Sequence, residues 1–167
     1  MNEFTAKVVE KVIEKTGEIV NILVKNYPEL ATSKGILKKG GYVSIYSLGA
    51  KRLEFVSIVG KPVPQEKWSA YSYNSEEKGA RLISTHFELG HMTSYESRDP
   101  DNGKWGGAIV ADNYILSFSG LPEQADEAVM MAVAIELDLL SLINAEDIAK
   151  RNNNEIFAVL ANYLYDE

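Results

Sequence analysis

The sequence contains no cysteine among its 167 residues. That absence excludes disulfide bonds, thiolate nucleophiles, iron–sulfur clusters and zinc sites built on cysteine. No apolar run approaches the ~20 residues that a membrane-spanning helix needs. The first residues alternate charged and apolar side chains, so they lack the hydrophobic stretch of a secretory signal. We therefore expect a cytoplasmic protein that does not associate with membranes.

Basic residues are outnumbered, with 17 Lys and Arg against 24 Asp and Glu and a formal net charge of −7. The phosphate backbone of nucleic acids favours clustered Lys and Arg, so a nucleic-acid partner is not expected. The densest basic group comprises Lys34, Lys38 and Lys39, and we interpret it as a solvated loop. A nucleophile elbow, a Walker sequence and a dinucleotide-binding glycine loop are all absent, so no catalytic residue is predicted.

The order of the predicted elements indicates the fold class. Apolar residues trace one face of a helix over residues 4–27, and alternating segments at 42–48 and 53–60 predict a hairpin. Helices, a second hairpin and further helices follow. This order predicts an α+β fold in which one antiparallel sheet is flanked by helices. Because no repeat or linker is present, we predict a single domain over residues 1–167 with a C-terminal helical extension from about residue 144.

Residues 106–142 form the most legible unit of the chain. Two short apolar runs separated by a tight turn predict two strands, and residues 119–122 then lead into a long helix. Carboxylates crowd the start of that helix at Glu123, Asp126 and Glu127. We interpret them as residues that compensate the helix dipole, which explains them without catalysis.

Local signals place the remaining element boundaries. Residues 65–74 predict a short helix, and Asn74 or Ser75 is the predicted N-cap of a separate helix after it. Residues 91–96 are interpreted as a further strand. Asn144 is the predicted N-cap of a C-terminal helix.

Three segments resemble a known family. Residues 119–129 resemble its Ser-Gly, Pro-Glu-Gln and Asp-Glu-Ala-Val signature, residues 106–110 its Gly-Gly-Val-Pro-Ile strand, and residues 75–80 its helix with a Lys-Ala pair. This family includes GlcG, the heme-binding protein HbpS and the C-terminal domain of PduO-type cobalamin adenosyltransferases. The resemblance implies a profilin-like or PAS-like α-β-α sandwich, and it makes heme a candidate cofactor.

Two histidines form the one cluster that looks like a ligand set. His86 and His91 are five positions apart, so they do not share a helix face, and Gly90 is expected to end the helix between them. A two-histidine metal site is therefore not predicted. The resemblance allows one histidine to serve as an axial heme ligand. The alternative is that both are ordinary, partly exposed polar residues.

Aromatic and basic side chains supply further candidates for a binding site. Trp68, Tyr71 and Trp105 could line a pocket for a flat ligand, although core packing or a dimer contact would also explain them. Lys78 and Arg81 lie one helical turn apart and could face an anionic group. The predicted ligand-binding residues are Trp68, Tyr71, Lys78, Arg81, His86, His91 and Trp105.

These observations predict a homo-oligomeric protein that binds a small molecule or a tetrapyrrole such as heme, in an accessory or sensory role. Two alternatives stay open. One is a structural or interaction module that oligomerises through its helices, with the apolar stripe over residues 156–164 as its docking surface. The other is an enzyme of unknown reaction, which would need an activated nucleophile or an acid–base pair in a pocket.

Overall fold

A four-stranded antiparallel sheet forms the middle layer of the protein, for which a computed structural model describes residues 1–166. Within residues 1–166 the strands are β1 (Thr32–Ser33), β2 (Ile36–Leu37), β3 (Lys39–Ser47), β4 (Arg52–Lys61), β5 (Ala108–Ala111) and β6 (Tyr114–Ser119), and β3 to β6 form this sheet. Across the main sheet the order is β4, β3, β6, β5. The first two strands pair only with each other and make a small separate hairpin.

Helices cover both faces of this sheet. They are α1 (Glu3–Asn26), α2 (Trp68–Leu89), α3 (Glu123–Glu136), α4 (Leu142–Arg151) and α5 (Glu155–Tyr165). One face carries α2, the other carries α1 and α3, and α4 and α5 pack against α3. No helix within residues 1–166 is both long and apolar enough to cross a membrane. The predicted α+β class, with an antiparallel sheet flanked by helices, is confirmed.

The central strand β3 is buried because it has a helix layer on each side. Val43 and Ile45 point into the apolar core beneath α1 and α3. Ser44 and Tyr46 point the other way and bond to α2, through Ser75 Oγ at 2.6 Å and the backbone oxygen of Glu76 at 2.7 Å. The period-two alternation of a strand thus separates an apolar contact surface from a partly polar one.

Helix α2 is one continuous helix of 22 residues, so the predicted break at Asn74 or Ser75 is wrong. Ser75 is buried, and its hydroxyl reaches Ser44 on the sheet and the carbonyl oxygen of Ser72 one turn earlier. Because its hydroxyl bonds to the preceding turn and to the sheet, Ser75 lies inside the helix and does not cap a helix N-terminus. The tertiary contact with the sheet, which local signals do not contain, overrides the local preference.

Residues 91–96 do not form the predicted strand. Thr93 makes a single bridge to Ile109, after which Ser94–Ser97 turns as a 3-10 helix. The turn is closed by a capping box in which the Glu96 carboxylate accepts from the backbone N–H of Thr93 at 3.1 Å. The prediction failed because a Thr-x-x-Glu pair is a helix-start signal, which outweighs β-branched residues in so short a segment.

The predicted cap at Asn144 is also wrong. Ser141 caps α4, and its hydroxyl accepts from the backbone N–H of Asn144 at 3.1 Å. Helix α3 ends at Glu136, so the chain turns earlier than the apolar pattern predicts. Helix α4 therefore begins at Leu142, close to residue 144, where the predicted C-terminal helical extension starts.

Two helix-interior glycines should respond oppositely to alanine. A Cβ at Gly79 would lie 2.3 Å from Cε1 of Tyr46, whereas the nearest atom to a Cβ at Gly17 is 3.7 Å away. We expect Gly17→Ala to raise the free energy of unfolding by roughly 0.5–1 kcal/mol, through helix propensity. We expect Gly79→Ala to lower it by about 1–3 kcal/mol, because the side chain overpacks against Tyr46. Urea unfolding of both variants tests this, and a stabilised Gly79→Ala would contradict the packing account.

Candidate functional site

A cavity of about 270 Å³ opens at the end of the sheet where β3 starts and β4 and β6 finish. We call it the sheet-end cavity. Three chain segments surround it: the β1–β2 hairpin, the first half of α2 and the β6–α3 connection. Its lining comprises Ser33, Lys34, Ile36, Lys38, Lys67, Tyr71, Asn74, Lys78, Trp105, Ser119, Gly120, Leu121, Pro122, Glu123 and Asp126.

One polar stripe of α2 forms a wall of the cavity. Lys67, the residue immediately before α2, is followed at intervals of four, three and four residues by Tyr71, Asn74 and Lys78 of the helix, and all four line the cavity. Such intervals place side chains on one face of a helix. The sequence therefore devotes one face of α2 to the cavity, while Ser75, Gly79 and Leu82 pack beneath the helix.

The opposite wall is the β6–α3 connection, and it needs a glycine. Gly120 has φ of +153°, and a Cβ there would lie 2.2 Å from the backbone oxygen of Gly40. The backbone at Gly120 therefore lies so close to the backbone at Gly40 that only a glycine fits between them. This approach fixes the backbone of Ser119 and Leu121 at the cavity wall.

The floor of the cavity is a buried ion pair. Lys78 Nζ lies 3.0 Å from Oδ2 of Asp126 and 2.8 Å from the backbone oxygen of Phe118. The other oxygen of Asp126 accepts from the backbone N–H of Leu121 at 2.9 Å. Burial raises the pKa of Asp126 above its usual range, while the ammonium of Lys78 and the amide of Leu121 oppose that shift. The pair joins α2, β6 and α3 at one point.

Space for this pair is created by Gly107. A Cβ at that position would lie 2.7 Å from Lys78 Nζ and 2.8 Å from the backbone oxygen of Phe118. The glycine has φ of +128°, a conformation that L side chains rarely adopt. Gly107, the second glycine of the pair that opens the 106–142 unit, therefore admits the lysine side chain.

Lys38 is a second buried lysine of the cavity, which makes its interpretation as part of a solvated loop wrong. Its side chain is covered by the segment before α2 and by Tyr71, so the residue is only 8% exposed. Lys38 Nζ donates to the backbone oxygen of Val63 at 3.2 Å and to the hydroxyl of Tyr71 at 3.1 Å. Within residues 1–166 no carboxylate forms an ion pair with it.

Three of the seven predicted ligand-binding residues line the cavity: Tyr71, Lys78 and Trp105. Trp68 lies close by but donates its indole N–H to the backbone oxygen of Pro62 at 2.8 Å. The guanidinium of Arg81 is held by Glu77 and by the backbone oxygens of Ser94 and Trp105. The structure therefore gives Arg81 a positioning role behind Trp105.

The two histidines lie at the other end of α2. His86 is eight residues beyond Lys78, a rise of about 12 Å along the helix. Its Nδ1 donates to the backbone oxygen of His91 at 2.7 Å, since a carbonyl can only accept. Nδ1 of His91 is buried and has no hydrogen-bond partner within the described residues. No metal-ligating group of three or more acidic or histidine side chains occurs in residues 1–166.

Glu127 forms a buried network that the helix-dipole interpretation missed. Its two carboxylate oxygens accept from the amide nitrogens of Asn152 at 2.7 Å and Asn154 at 2.8 Å. Asn152 also donates to the hydroxyl of Thr93 at 3.1 Å. Burial raises the pKa of Glu127 to about 7, although the amides of Asn154 and Asn152 oppose the shift. The network holds α4 and α5 against α3.

The helix-dipole interpretation did not predict the burial of Asp126 and Glu127. Both are buried, as is every residue of α3 from Ala125 to Ala134. The signal was available in the sequence, because the apolar run that follows leaves α3 without a polar face. A carboxylate on a helix that is apolar all round has to be buried and needs partners.

A second concavity of about 420 Å³ lies between α4 and α5, and we call it the α4–α5 groove. Its floor is apolar, with Ala149, Phe157 and Ala161. Its charged residues are the exposed Glu146, Lys150 and Glu155 at the rim. Without a buried charged group, this groove offers little that would orient a small ligand.

Comparisons with known proteins add no identification. No protein-family model matches the chain, no curated protein matches it, and no solved structure matches it. The resemblance to GlcG and HbpS stays a prediction, and the geometry of the described residues carries the functional argument.

Proposed function

We propose that the protein binds a small molecule in the sheet-end cavity and acts as an accessory or sensory protein. The observation that carries this proposal is the convergence of polar side chains from separate segments on one concave space. Lys38 precedes β3, Tyr71 and Asn74 come from α2, and Ser119 ends β6. Ligand sites characteristically combine a concave space with a few convergent polar groups.

The size of the cavity favours a small metabolite over a tetrapyrrole. Pockets for drug-sized molecules measure about 300–1,000 Å³, and this one measures about 270 Å³. Neither His86 nor His91 is among the residues that line it. Heme, which the resemblance implies, would have to bind elsewhere to be ligated by His86 or His91.

Binding is favoured over catalysis because the ionised groups of the cavity floor are already paired. Lys78 and Asp126 neutralise each other, and Glu123 is bonded to Arg98 and to the backbone N–H of Gly106. An enzyme would need a free nucleophile or base aimed at the cavity. The lysines that remain unpaired suit recognition of a ligand.

A thermal-shift screen of common metabolites tests the proposal. A ligand at 100 times its Kd should raise the melting temperature by about 5–10 °C in a chain of this size. Asn74→Phe should abolish the shift by filling the cavity. Asn162→Phe, which places the same side chain in the α4–α5 groove, should leave it unchanged. The proposal fails if no metabolite shifts the melting temperature, or if Asn162→Phe and not Asn74→Phe removes the shift.

A further inference from the structure

Lys38 is a buried residue, and the described residues give its ammonium no counter-ion. An ammonium has three donors, and two are used, for the oxygens of Val63 and Tyr71. Burial of a charge that lacks an opposite charge is unfavourable. The third donor and the missing negative charge both suit an external anion.

The neighbouring hydrogen-bonding groups of Val63 and Tyr71 keep a partner without Lys38. The backbone oxygen of Val63 also accepts from the hydroxyl of Tyr71 at 2.8 Å. If the ammonium were removed, Val63 would keep this partner and Tyr71 would keep its donated hydrogen bond. A lysine with a purely structural role would leave a buried acceptor unpaired on removal, and Lys38 does not.

The other charged groups of the cavity leave a local excess of positive charge. Lys78 is neutralised by Asp126, and Glu123 is engaged by Arg98. Lys34 and Lys67 are exposed at the rim, and neither forms an ion pair within residues 1–166. Together with Lys38, three uncompensated ammonium groups therefore line one cavity of a chain whose net charge is −7.

The β1–β2 hairpin places one of these rim charges. Lys34 and Gly35 both have positive φ, of 51° and 76°, as in the tight two-residue turns that suit β-hairpins. The turn sets the backbone of Lys34 beside the cavity, and Ile36 of the same hairpin adds an apolar side chain to the lining. Trp105 and Leu121 extend the apolar part of the lining.

We propose that the ligand is a small dianion, a phosphate monoester or a short dicarboxylate, whose charge is bound by Lys38 with Lys34 and Lys67. Its carbon part lies against Ile36, Trp105 and Leu121. This inference rests on the proposed function and specifies the ligand class of the same cavity. Charge-assisted hydrogen bonds to a buried ammonium give the affinity, and the exposed lysines add attraction that salt screens.

Isothermal titration with matched probe pairs tests the inference. Glycerol 3-phosphate is compared with glycerol, and glutarate with glutaramide, so that each charged probe has a neutral twin. We expect at least one charged probe to bind with Kd below ~1 mM, and neither neutral twin to bind. The arm that binds distinguishes a phosphate monoester from a dicarboxylate.

Lys38→Met should weaken binding of the charged probe at least about tenfold, as expected for loss of a charged hydrogen bond. Its melting temperature without ligand should stay level or rise, because a buried charge is removed without leaving an unpaired acceptor. The control Lys11→Met removes the same charge from an exposed position on α1 and should change neither quantity.

The inference is overturned if neither charged probe binds, or if Lys38→Met binds like the wild type. It is also overturned if Lys38→Met lowers the melting temperature by several degrees while affinity is retained, since Lys38 would then be structural. If neutral metabolites shift the melting temperature and Asn74→Phe removes the shift, the dianion inference fails but the proposed function stands. If no compound of either kind binds, both fail.

Discussion

Replacement of Lys78 by methionine is expected to lower the free energy of unfolding by about 3–5 kcal/mol, the range measured when one partner of a buried ion pair is removed. The carboxylate of Asp126 would remain buried with only the amide of Leu121 as a partner. The backbone oxygen of Phe118 would lose the donor that lies 2.8 Å away. Urea unfolding followed by circular dichroism measures the effect.

A double variant separates lost charge balance from lost packing. Asp126→Asn keeps an oxygen for the N–H of Leu121 but carries no charge. Lys78→Met combined with Asp126→Asn should therefore be more stable than Lys78→Met alone, with a coupling energy of about 1–3 kcal/mol. A cost below about 1 kcal/mol for Lys78→Met, or two effects that simply add, would contradict a tightly coupled pair.

Glu127→Ala is expected to cost about 3 kcal/mol, because one N–H of each of two buried amides loses its acceptor while the other N–H keeps Thr93 or Gln124. Those amides, of Asn152 and Asn154, lie at the junction of α4 and α5. We expect α5 to lose protection first, since Glu127 ties the junction to α3 through both amides. Urea unfolding gives the total cost, and hydrogen exchange of α5 amides gives its location. Unchanged exchange in α5 would contradict the proposed role.

The same residue should make stability depend on pH in a definite direction. Burial raises the pKa of Glu127 to about 7 in the folded state, above the ordinary value of about 4.3. Between these values the folded protein binds more protons than the unfolded chain, so its stability falls as pH rises. The free energy of unfolding of the wild type minus that of Glu127→Gln should therefore be larger at pH 5 than at pH 8. A difference that is constant with pH would contradict the burial argument.

The layered fold could be predicted because its signals are local. Residues 42–48 and 114–118 alternate or stay apolar as buried strands do, and the α1 stripe has helical spacing. The break expected at Ser75 was wrong because the partner of its hydroxyl, Ser44, is 31 residues away in the chain. Local helix and capping propensities carry no information about a contact between residues so far apart in the chain.

The cavity was only partly predictable. Tyr71 and Trp105 were predicted as aromatic residues that could line a pocket, and Lys78 as a residue that could face an anionic group. All three line the cavity. Lys38 was missed because its cover comes from residues 25 and 33 positions later in the chain, Val63 and Tyr71. The spacing of polar residues on α2 was a usable signal, but a continuous α2 had to be predicted first.

Binding of a ligand in the sheet-end cavity is tested most directly by chemical-shift mapping. Amide and indole resonances are assigned, and the spectra are compared before and after addition of the compound that gives the largest thermal shift. We predict that the largest changes fall on the amides of Ser119, Gly120 and Leu121 and on the indole of Trp105. Changes concentrated in the α4–α5 groove, or around His86 and His91, would contradict the claim.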